Sequence, residues 1–275
     1  MIIWIRNRRG WILVVFGVLI VVFAGGFLIG GVGSGNNYSL GDILKNNNGG
    51  GSTTGAQSAD VTTLRAKVKA NPKDADSWSK LADAYLASAS DAGKAATALK
   101  TYLALKPGNA DGMRRLATAY VGAYQYEAQI AQSYQQQASS LPGLNSSTFG
   151  GTSVLSSLST DALQAAQADQ SRVRQTELIA KAKPFQTRAT SFVKQAVSAY
   201  GALVAAPGFA TSDSPAATLF QYGQVAEAAG DTATAIKAYG QFIKVAPEDP
   251  SAAAVKQRIK QLKAAAGATV GTSTQ

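Results

Sequence analysis

The chain has 275 residues, of which 46% are hydrophobic and 15% charged, and a formal net charge of +10. It contains no Cys and no His, which excludes disulfides, thiol catalysis, histidine acid–base chemistry and structural zinc sites built from those ligands. Lys and Arg are interleaved with Asp and Glu along helical segments, so the charge reads as solvated helix faces and not as a nucleic-acid stripe. Attraction to anionic lipid or to an acidic partner is the other consequence of a basic chain.

Residues 11–32 contain no charged side chain, and 15 of these 22 are Val, Ile, Leu or Phe. At 1.5 Å per residue they reach roughly 33 Å, enough for a helix to cross a hydrocarbon core. Arg6, Arg8 and Arg9 precede the run, whereas Lys45 and Asp42 follow it. The positive-inside rule then makes residues 1–10 a cytoplasmic stub and places everything after the span on the extracytoplasmic side of a cell membrane. A cleaved signal peptide is the rival reading. It expects a shorter apolar region ending in an A-x-A-like site, and Ala24-Gly25-Gly26 is a poor one. Gly26 and Gly30 form a GxxxG, a small face on which two membrane helices can pack.

Residues 33–59 are rich in Gly, Asn, Ser and Thr and bury too little apolar surface to fold alone, so they read as a flexible linker. From Asp60 the pattern turns helical and continues to about residue 266, with 267–275 as a frayed tail. Asn71-Pro72-Lys73-Asp74-Ala75-Asp76 and Glu248-Asp249-Pro250-Ser251 read as turns that feed helix starts.

The helical part repeats itself. Ala196-Val197-Ser198-Ala199-Tyr200-Gly201 matches Ala235-Ile236-Lys237-Ala238-Tyr239-Gly240, and a proline follows each at Pro207 and Pro247. Ala95 to Leu99, followed by Pro107, is a third copy. Upstream of these lie Trp78, Leu81, Ala82 and Tyr85, then Met113, Leu116, Ala117 and Tyr120, then Leu219, Tyr222, Gly223 and Ala226. These residues resemble the tetratricopeptide repeat, a helix pair of about 34 residues with the pattern W-x2-L-G-x2-Y, A-x3-F and P. Small residues at Ala82, Ala117 and Gly223 would let two helices approach closely. The aromatics would fill the space between them, and the prolines would end the second helices.

The middle unit departs from the pattern. Its first helix begins at Ala110, but its second-helix motif arrives only near Ala196. Residues 112–138 read as one long helix, 141–158 as a Ser/Gly/Thr loop and 161–182 as another helix. Pro184 would open or kink the next, which runs to about 205. The stretch at about 125–183 is therefore an insertion, either a projecting helical hairpin or part of a non-repeat bundle. The expected fold is all-α: a transmembrane helix, then an α-solenoid of tetratricopeptide-like pairs over 60–266 carrying this insertion. The last helix, 251–266, holds Lys256, Arg258, Lys260 and Lys263. It reads as a polar cap, with direct lipid contact as the alternative.

No nucleotide-binding loop or nucleophile elbow is present, and paired carboxylates such as Asp74 and Asp76 suit helix capping. The sequence thus points away from an enzyme, with no catalytic residue, no metal site and no cofactor expected. The resemblance implies a scaffold that binds other proteins, holding a peptide or helix in a groove lined by its first helices. In this register the groove residues are Ser79 and Asp83, then Arg114, Thr118 and Val121, then Phe220, Gln224 and Glu227. Nucleic acid is not an expected partner. One alternative is a self-assembling subunit of a membrane complex, a homo-oligomer joined through the Gln-rich helix at 124–137, the insertion and the GxxxG. Another is an assembly factor: the lead into Trp78 is similar to repeat domains of cytochrome c maturation chaperones.

Overall fold

The computed structural model describes residues 54–141, 154–211 and 214–270. Among the described residues every regular element is helical. The α-helices are α1 (Thr54–Ala70), α2 (Ala75–Leu86), α3 (Ala92–Leu105), α4 (Ala110–Ser139), α5 (Val154–Ala205), α6 (Pro215–Ala228), α7 (Thr232–Val245) and α8 (Ala252–Val270). Short 3-10 turns at Ala89–Asp91 and Phe209–Thr211 precede α3 and α6. No helix among these is long and apolar enough to cross a membrane. The expected stub, the span at 11–32 and its Gly26 and Gly30 lie outside the described residues, as does most of the expected linker.

Three boundaries differ from the sequence reading. Helix α1 begins at Thr54, six residues before the helical part was expected to start at Asp60. Helix α8 extends to Val270, into the expected tail; its Ala-rich end has high helix propensity. Helix α5 starts at Val154 and passes unbroken through Pro184, where a break was expected. Proline removes one intrahelical hydrogen bond, here to the Ala180 carbonyl. Ala180 and Pro184 are both exposed, so water can take the freed acceptor.

The chain divides into two compact units, residues Met1–Val121 with Val193–Gln275, and Gly122–Phe192. In the second unit the segments from α4 and α5 are antiparallel. Arg188 pairs with Glu127 at 2.9 Å and lies 4.5 Å from the Phe185 ring centroid, while Tyr134 meets Phe185 at 5.7 Å.

The first unit is built from helix pairs. Three second helices share one buried register: Ala95 and Leu99 in α3, Ala196 and Tyr200 in α5, Ala235 and Tyr239 in α7, none more than 2% exposed. Each ends at an x-Pro turn. Gly108 and Gly208, which follow Pro107 and Pro207, both take φ of +81°, a left-handed conformation that favours glycine. Two helix starts are capped by aspartate: the Asp74 carboxylate accepts from the backbone N–H of Asp76 and Ser77 at the head of α2. The Ser77 hydroxyl adds a 2.6 Å bond and is the main cause that holds the Asp74 carboxyl below its ordinary range. Asp231 caps α7 through the Thr234 N–H.

Close approach occurs where small residues were expected. Ala82 and Ala117 are fully buried. A Cβ on Gly223 would lie 2.4 Å from the Tyr239 ring. Trp78 differs in part: it is half-buried, and its indole N–H donates to the Pro72 carbonyl at 2.9 Å, tying α2 to the preceding turn.

Candidate protein-binding face

First helices of successive pairs are joined by arginine–carboxylate links. Arg115 of α4 donates to the Ser79 hydroxyl at 2.9 Å, to the Ser79 carbonyl at 3.2 Å and to the Asp83 carboxylate of α2. Arg258 of α8 likewise grips Glu227 of α6, which also accepts from the Tyr239 hydroxyl at 3.2 Å. Between these links the buried Tyr200 hydroxyl donates to Gln221 of α6 at 3.1 Å and also meets the Thr118 hydroxyl of α4. Burial pushes the phenols of Tyr200 and Tyr239 well up; for Tyr239 the Glu227 charge adds to it. The helices α2, α4, α6 and α8 thus form a row, stitched from one to the next by polar contacts.

The expected groove residues divide along this row. Arg114 is exposed, and its nearest carboxylate is Asp111 at 3.6 Å. Thr118 donates to the Arg114 carbonyl at 3.0 Å. Asp83 keeps a largely exposed carboxylate beside Arg115, and Ser79 is half-buried under the same guanidinium. Gln224 is half-buried.

Three of the expected groove residues do not line an open surface. Val121 is 2% exposed and belongs to the core. Phe220 packs its ring 5.4 Å from Phe242 and 6.1 Å from Tyr239, inside the apolar cluster of α6, α7 and α8. Glu227 is committed to Arg258 and Tyr239. The causes differ: Phe220 turns toward α7, the partner helix of its own pair, whereas Glu227 is taken up by Arg258 of α8.

Arg115 and Arg258 are the residues the sequence reading missed as organisers. Ala119, one turn on from Arg115, is fully buried, so that side of α4 faces a neighbour. Alanine one turn after a basic residue was the available signal, but it does not separate Arg115 from Arg114 in a chain so rich in alanine.

A cleft of about 30 Å³ opens between the start of α4 and the start of α6, lined by Arg114, Leu203, Ala206, Phe209 and Thr218. That is room for about one water. The chain matches no protein-family model and no curated protein.

Proposed function

We propose that this chain is a tetratricopeptide-type scaffold that binds other proteins along its row of first helices, tethered to a cell membrane by residues 11–32 with its helical part extracytoplasmic. The observation that carries the reading is the threefold register Ala95/Leu99, Ala196/Tyr200 and Ala235/Tyr239, each buried and each followed by a proline stop. Such pairs stack because none can bury its apolar face alone, and the stack leaves a continuous surface of first helices. The contact surface on this reading is Ser79, Asp83, Arg114, Thr118 and Gln224. The apolar run and the arginines before it support the tether and its direction. Residues 122–192 are then an insertion in the second repeat.

A photocrosslinking residue placed at Arg114 or at Gln224 of the full chain, in native membranes, tests this. The reading expects a discrete protein adduct at both positions and none at an exposed site on the opposite side, such as Lys237. Adducts independent of position, or none at all, would remove the groove assignment.

A second reading, self-assembly, draws on two large apolar residues of α5, Val173 at 58% and Ile179 at 54% exposure. Light scattering of the detergent-solubilised chain decides it: a concentration-independent monomer argues against that reading.

A further inference from the structure

Charge in the first unit is distributed unevenly among its helices. Helices α3, α7 and α8, and residues 193–205 of α5, contain no Asp or Glu at all. The described carboxylates of this unit sit on α1, α2, α4 and α6 and in turns, among them Asp83, Asp111 and Glu227 on helices and Asp91, Asp231 and Asp249 in the turns. The second helices carry lysine instead, and Lys100, Lys194, Lys237 and Lys244 are all exposed.

These lysines point one way. At 100° per residue, and taking the buried Ala of each helix as reference, Lys100 lies about 140° from Ala95 and Lys194 about 160° from Ala196. Lys237 and Lys244 lie about 160° and 180° from Ala235 by the same rule. Each therefore faces away from the first helix on which its own helix packs. On α8, Lys256, Lys260 and Lys263 fall at i, i+4 and i+7 and share one exposed side, but by the same rule it lies about 20–80° from the buried Ala252, so it flanks the core and is not part of the outward face. The core side of α8 is Ala252, Val255 and Leu262, and Arg258 is turned to Glu227. Among the described residues, Lys94 of α3 is paired with Asp91 at 2.6 Å. Among the described residues, no carboxylate forms an ion pair with Lys100, Lys194, Lys237 or Lys244.

We infer that this carboxylate-free lysine face rests against an anionic phospholipid bilayer, leaving the row of first helices turned to the aqueous side. The choice of a bilayer over nucleic acid rests on the tethered reading above. A chain anchored at 11–32 holds its folded part within the reach of a linker of about 20 residues, roughly 25 Å. At that range each lysine near an anionic surface adds about fivefold to the association. The face is cationic without aromatic side chains to stack on bases, which favours phosphate headgroups over a single strand.

The absence of cysteine makes the test clean. Lys244→Cys and, on the first-helix side, Lys80→Cys are labelled singly with a donor fluorophore in the full chain. The chain is reconstituted in vesicles of neutral phosphatidylcholine, or of the same lipid with about one-third phosphatidylglycerol, carrying a headgroup acceptor. The expected result is stronger energy transfer from position 244 than from position 80 in anionic vesicles only, abolished by 0.5 M salt and by combined Lys100→Glu, Lys194→Glu and Lys237→Glu. Equal transfer in the two lipids, transfer that survives charge reversal, or preferential displacement by duplex DNA overturns it. If the chain does not stay with neutral vesicles in 1 M salt, the tether is what fails. The same vesicles then decide the lysine face alone: flotation with anionic but not neutral vesicles at low salt supports it, and no flotation overturns it.

Discussion

Gly223 of α6 and Tyr239 of α7 are packed so closely that a Cβ on the glycine would lie 2.4 Å from the ring. A glycine inside a helix costs about 1 kcal/mol relative to alanine, so its presence needs a reason, and the ring supplies one. Gly240, in the next helix, has open space where a Cβ would go. The same substitution should therefore act in opposite directions at the two sites. Gly240→Ala is expected to stabilise the chain by about 0.5–1 kcal/mol. Gly223→Ala is expected to destabilise it, because overpacking costs about 1–3 kcal/mol and outweighs the gain in propensity. Urea unfolding followed by circular dichroism reads both.

The two arginine links differ from the neighbouring Arg114 in what their loss exposes. Glu227 keeps only 15% of its side-chain surface open and takes hydrogen bonds from Arg258 and Tyr239. Arg258→Ala leaves that carboxylate half-buried without its cation, at an expected loss of about 1.5–3 kcal/mol. Arg114→Ala removes a loose pairing on an open surface and should change stability by less than about 0.5 kcal/mol. If the proposed groove is right, the order reverses for partner capture: Arg114→Ala weakens crosslinking at Gln224 while the helix content stays intact. Thermal unfolding and adduct yield, measured on the same two variants, separate the roles.

The repeat was legible in the sequence because it is written in short-range terms. Ala-x3-Leu or Ala-x3-Tyr followed by proline places a small residue and a large one a turn apart and then stops the helix, and Ala95, Ala196 and Ala235 are all buried as that pattern implies. The surface was less legible because exposure depends on neighbours distant in sequence. Phe220 turns out to pack on α7 of its own pair, and Glu227 is paired with Arg258 of α8, 31 residues away in the chain. The passage of α5 through Pro184 was hidden for a related reason: a proline penalty is local, whereas its relief depends on what surrounds the freed carbonyl.

Pro184 gives a direct test of that relief. Pro184→Ala restores an N–H to the helix interior and should raise the stability of α5 by up to about 3 kcal/mol. Phe185 and Arg188, which follow it, make the contacts to Tyr134 and Glu127. The gain should therefore appear as slower amide exchange over residues 180–188, with little change in α7. Faster exchange there would mean that the proline is needed to seat Phe185 against Tyr134.

Tyr200 and Tyr239 set the alkaline limit of the fold. Both phenols are pushed above their ordinary value of 10.0, Tyr200 by burial and Tyr239 by burial together with the adjoining Glu227 carboxylate. The folded chain therefore holds these protons at a pH where the unfolded chain has released them. Their contribution is fully present below about pH 10 and declines as pH rises further, because ionisation favours the unfolded state. The unfolding free energy should be flat through neutral pH and fall steadily above pH 10, and phenolate absorbance should show these two tyrosines titrating only as the helices melt. Tyr200→Phe removes its share of that decline. It also costs about 1–2 kcal/mol at neutral pH by leaving the buried Gln221 amide without its donor. A variant that loses stability at neutral pH yet keeps the full alkaline slope would assign the limit to Tyr239 and the other phenols that burial raises, Tyr120, Tyr124 and Tyr222.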